Sequence, residues 1–88
     1  MNWTDSLVAD YDVAVITTSA FIIITFSRTP DITVLNDLML IQNKPGFRLS
    51  ESSQSNSYNL NYPDTFTGNK VKAVIVNMLQ SHNLRVKY

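Results

Sequence analysis

Residues 13–27, VAVITTSAFIIITFS, constrain this chain more than any other stretch. They hold no charge, no Gly and no Pro, and nine of the fifteen are β-branched. Branching at Cβ restricts χ1, which disfavours helix slightly and suits a packed, pleated surface. Phe21-Ile22-Ile23-Ile24 is a continuous apolar run, the pattern of a strand covered on both faces. The strand at 21–27 is therefore expected at the centre of a sheet.

The residues before it are ambiguous. Thr4-Asp5-Ser6 are all N-cap types. Leu7, Val8, Tyr11, Ala14 and Val15 then follow at helical spacing. Val13, Ile16 and the Thr17-Thr18 pair favour extended chain instead. A hairpin joining 13–18 to 21–27 would need a tight turn at Ser19-Ala20, which lacks the Gly or Asn such turns prefer. The reading is a short helix from about Asp5 and then an extended segment, together an N-terminal helical extension over 1–19.

The apolar stretch is shorter than the ~20 residues a membrane helix needs, and five of its fifteen positions are Ser or Thr. Asp5, Asp10 and Asp12 precede it without any Lys or Arg, unlike a signal peptide. A cytoplasmic protein with no membrane contact is expected.

After residue 27 the punctuation is clearer. Thr29 as N-cap, Pro30 at the first helical position and Asp31 beside the dipole open a helix near 30–42. Asn43-Lys44-Pro45-Gly46 stops it. Ile32, Leu35 and Met39 form one face, while Leu40 and Ile41 sit off it. The helix thus carries more apolar surface than one contact covers. Residues 47–53 and 57–62 alternate as the strands of a hairpin around the polar stretch SESSQSNS. Residues 69–81 form the cleanest amphipathic helix, with Val71, Val74, Ile75, Met78 and Leu79 on one face. His82-Asn83 ends it. A short last strand follows at 84–88.

From Phe21 the order is βαββαβ. That predicts a split βαβ, ferredoxin-like α+β fold with an antiparallel sheet and two helices on one face. The 88 residues make a single small domain, 1–88, with its βαββαβ core at 20–88.

Composition excludes more chemistry than it suggests. There is no Cys, so neither thiolate chemistry nor a disulfide is available. The single His82 cannot build a His-based metal cluster and reads as a helix-end residue. Asp5, Asp10 and Asp12 lack the spacing and the Gly of a calcium loop. Gly46 and Gly68 are too few for a phosphate loop. No enzymatic activity, no cofactor and no metal site is expected.

Charge is segregated. Residues 1–37 hold five Asp against one Arg, a net of −4. Residues 38–88 hold two acids against six Lys and Arg, a net of +4. Either the halves neutralise each other on folding, or the basic end meets an acidic partner. Charged residues make up 16% of the chain, against ~25% in typical domains.

The preferred reading is a small, non-catalytic protein-binding module. It would act stoichiometrically, as a regulator or inhibitor of a larger complex (the phage or mobile-element type) or as a self-associating subunit. Its partner is then another protein or a second copy. Leu40 and Ile41 on the helix and Arg85, Lys87 and Tyr88 at the basic edge are the contact candidates. The alternative is a single-stranded nucleic-acid-binding domain using Tyr58 and Tyr62 for stacking, with Arg48, Lys70 and Lys72 for phosphates. The RNA module's basic-Gly-aromatic signature is absent from SYNLNY.

Overall fold

The apolar stretch folds as two strands. The computed structural model describes residues 11–88, and in it β1 (Val13–Thr17) and β2 (Ile22–Phe26) pair as an antiparallel hairpin. Thr18 supplies what Ser19-Ala20 lacks. Its hydroxyl donates to the Phe21 carbonyl at 2.7 Å and accepts from the Phe21 and Ala20 N–H groups at 3.0 and 3.3 Å. A side chain thus replaces the backbone conformation that Gly or Asn provides in tighter turns. The short helix expected from Asp5 lies outside the described residues.

This hairpin overturns the ferredoxin-like arrangement. The remaining elements are α1 (Ile32–Met39), a 3-10 turn (Leu40–Asn43), β3 (Arg48–Glu51), β4 (Ser57–Asn61), α2 (Gly68–Ser81) and β5 (Val86–Lys87). They form a five-stranded sheet of order β3-β4-β2-β1-β5. β1 lies between β2 and β5 and pairs with β5 in parallel. The sheet is therefore mixed, and the antiparallel four-stranded βαββαβ order is incorrect. Once Thr18 closes the turn, β1 covers the β2 edge that the last strand would otherwise take.

Register sorts the side chains. Val13, Val15, Ile22, Ile24, Phe26 and Leu60 share one face and are buried. Both helices cover that face, α1 through Val34 and Leu38 and α2 through Val71, Ile75, Val76 and Leu79. Two expectations about the helices fail here. α1 starts at Ile32 with Asp31 as its N-cap, and it turns Val34 and Leu38 inward, leaving Ile32 and Met39 exposed. In α2, Val76 takes the buried place expected of Val74. The tightening of the chain into a 3-10 turn after Met39 ends the α-helical register of α1.

Caps fix α2 at both ends. Thr67 accepts from the Lys70 N–H at 3.3 Å. At the other end Asn83 adopts φ 63°, and the Leu84 N–H reaches back to the Leu79 carbonyl at 3.4 Å, a Schellman closure. Gly68 permits the close approach of α2 to the sheet. A Cβ there would stand 2.7 Å from Thr17 Cγ2 and 2.9 Å from the Tyr62 hydroxyl.

No helix among the described residues is long and apolar enough to cross a membrane.

Candidate functional site

A mainly apolar recess lies between the turn that follows α1 and the start of α2. The turn after the 3-10 segment is closed by the Phe47 N–H on the Lys44 carbonyl, with Gly46 at φ 85°. A Cβ at Gly46 would lie 2.9 Å from Pro63 Cβ, so this turn sits directly on the loop before α2. That loop is closed in its own right by the Phe66 N–H on the Pro63 carbonyl. The two turns bring Phe47 and Phe66 edge to face at 5.2 Å.

Ile41 of the 3-10 turn and Val71 and Val74 of α2 complete a groove of about 380 Å³. Phe66 and Val74 remain 43% and 52% exposed, and Leu40 nearby in sequence is 59% exposed. Lys44 and Lys70 line the groove, and neither makes an ion pair among the described residues. The first turn of α2 carries no acidic side chain, so its unpaired N–H groups add positive potential on this side. The chemistry on offer is apolar contact beside positive charge. No hydroxyl, thiol or carboxylate side chain lines this recess, and no group of His and acids that could hold a metal occurs among the described residues.

The sequence candidates fall in several places. Ile41 lines the groove. Tyr88 lies on another side of α2, in a shallow recess with Asn69 and Val76, and Lys72 Nζ stands 5.9 Å from its ring centroid. Lys87 stands equally far, 5.9 Å, over Tyr11. Arg85 is engaged with Asp12. The Asp12 carboxylate accepts from the Arg85 backbone N–H at 2.8 Å and from its guanidinium at 3.3 and 3.4 Å. These bonds hold the Asp12 carboxyl below the usual carboxylate range. The basic edge is thus partly tied to the acidic first half.

A second such tie joins the helices, His82 Nε2 to Asp37 Oδ2 at 2.6 Å. It gives His82 an interhelical role beyond the helix-end role read from sequence. Asp5 and Asp10 lie outside the described residues.

Of the stacking candidates, Tyr58 points to the helix-covered face, half-buried and edge-on to Phe26 at 6.1 Å. Tyr62 packs against the same core. Arg48 projects from the opposite face of the sheet, because it pairs with Asn61 while Leu49 pairs with Leu60. Lys70 stands at the groove and Lys72 by Tyr88. No common platform unites the five.

Phe47, Phe66 and Val74 were not singled out in the sequence as site residues. Phe66 stands alone between loop residues, and only the meeting of two turns gives it a partner. No protein family, curated protein or solved structure was found to match the chain.

Proposed function

We propose that this protein is a stoichiometric protein-binding module that receives an acidic, apolar segment of its partner in the groove between the 3-10 turn and α2. The observation that carries the reading is the pairing of exposed Phe66 and Val74 with Lys44 and Lys70, two cations without an ion pair among the described residues. Apolar side chains at a recess supply affinity, and flanking charge selects the partner and speeds encounter. A surface of this kind needs no turnover chemistry, so the protein acts as a non-catalytic regulator or inhibitor, in the cytoplasm.

A random-peptide display selection on the immobilised protein tests this. Enriched peptides should combine Leu, Phe or Trp with Asp or Glu. Their binding should weaken at least tenfold in Val74→Lys, and should fall with salt in the wild type more steeply than in Lys44→Gln/Lys70→Gln. Selected peptides without acid enrichment, or with unchanged affinity for Val74→Lys, contradict the reading.

A further inference from the structure

We infer that the binding surface runs on from the groove, over Ala73, into the recess at Tyr88, where Lys72 takes a second carboxylate of the same partner segment. The inference rests on the proposed use of the groove and adds a second acid to the partner.

α2 turns Val71, Ile75, Val76 and Leu79 to the core and leaves Asn69, Lys70, Ala73, Val74, Asn77 and Gln80 exposed. On that outer side lies a second recess of about 320 Å³, walled by Lys72, Asn77, Gln80 and Tyr88 among others. Ala73 lines this recess and the groove alike. At about 100° per residue, Lys70 and Lys72 fall on either side of Ala73. Each recess thus has a lysine of its own, and the side chain at their boundary is a single methyl group.

An exposed Ala is ordinary in a helix, since it is the best helix former. The charges beside it are not ordinary. Lys70 stands in the first turn of α2 and Lys72 just after it, with no acid in that turn. Cations there oppose the helix dipole, whose N-terminal end favours carboxylates. Lys70 and Lys72 are the only charged residues of α2, and neither makes an ion pair among the described residues. From Thr65 to Tyr88 the chain has no Asp or Glu. Departures from local rules gather at functional sites. Carboxylates brought by a partner supply what the start of this helix lacks.

Tyr88 shapes the second recess. It is 68% exposed, and Lys72 Nζ stands 5.9 Å from its ring centroid. The ring face attracts the ammonium and favours its place at the recess. Asn77 and Gln80 each bring an amide that both donates and accepts, which suits the N–H and C=O groups of a peptide backbone. A nucleic-acid strand would use the lysines and Tyr88 but not the aliphatic Ile41 and Val74 of the groove. An acidic, apolar peptide uses all of them.

Peptides enriched by display on the wild-type protein should carry a second acid, apart from the one beside their apolar anchor. A double-mutant cycle, read by fluorescence anisotropy, pairs Lys72→Gln in the protein with replacement of that second acid by its amide in the peptide. Each change should weaken binding about fivefold, and the two together no more than either alone. Ala73→Glu should weaken the two-acid peptide more than a peptide cut back to its anchor and first acid. Changes in the peptide leave the fold of the protein untouched, and circular dichroism checks the protein variants. Binding that is weakened by Val74→Lys but additive in the cycle overturns the inference and leaves the groove reading standing. Binding indifferent to Val74→Lys removes both. Tighter binding of an oligothymidylate than of the peptide, lost in Tyr88→Ala, assigns this face to nucleic acid and overturns the inference as well.

Discussion

The β1–β2 hairpin and helix α1 are built from similarly apolar sequence, yet they do opposite work. In the hairpin Val13, Val15, Ile22 and Ile24 are at most 1% exposed. In α1 and the turn after it, Ile32, Met39 and Leu40 are at least half exposed. A strand inside a five-stranded sheet has neighbours on both edges and a helix layer on one face. A helix at the rim of the layer has one covered side. On the helix-covered face of the hairpin the apolar residues are fully committed to the core, whereas α1 buries Val34 and Leu38 and leaves Ile32 and Met39 available for contact.

The largest expected effect is therefore in the hairpin. Ile24→Ala should cost about 3 kcal/mol, read as a lowered midpoint in urea unfolding. Leu40→Ala should stay within about 0.5 kcal/mol. Equal losses would erase the contrast. Next comes the contact that seats α2 on the end of β1. Gly68→Ala should cost roughly 2 kcal/mol, because the added methyl collides with Thr17 and Tyr62. Thr17→Ser, which deletes the colliding Cγ2, should recover part of the loss in a double-mutant cycle.

Thr17 sharpens the comparison in the other direction. Its hydroxyl is buried without a hydrogen-bond partner among the described residues. Thr17→Val keeps the shape and removes the unpaired group, so it should stabilise by about 1 kcal/mol, seen as a raised thermal midpoint.

A small effect belongs to the Asp12–Arg85 tie at the start of β1 and β5. Its partners are partly exposed, so Asp12→Asn should cost less than about 1 kcal/mol. The sign of its pH dependence is fixed. Arg85 depresses the Asp12 carboxyl on folding, so the stabilisation is present above the ordinary carboxylate range and is lost as pH falls through the depressed folded value. Acid titration of stability should be shallower in Asp12→Asn than in the wild type.

Sequence alone reveals elements whose signals are local. The strand around Phe21–Ile24, the hairpin framed by SESSQSNS and the second helix with its Asn83 stop are all read from neighbouring residues. What escapes is decided at a distance. The Thr18 hydroxyl turn hides β1, because turn statistics weigh backbone conformation and pass over a side chain that substitutes for it. The inward face of α1 escapes for a related reason. A helix apolar nearly all round carries no rotational signal, and only packing against β2 and α2 selects Val34 and Leu38. Of the groove, Ile41 is legible as an apolar residue off the main face. Phe47 and Phe66 are not, since nineteen positions of chain separate them and two turns must fold before they touch.

The proposed binding surface is the set of exposed apolar residues at the groove between the 3-10 turn and α2. The most direct test is amide chemical-shift mapping of the labelled protein, titrated with an acidic, apolar peptide recovered by selection. The expected shifts concentrate at Ile41, Lys44, Phe47, Phe66, Lys70 and Val74, with the β1–β2 hairpin unmoved. Shifts centred on the exposed sheet face around Arg48 and Asn61, or spread evenly over the molecule, would contradict it.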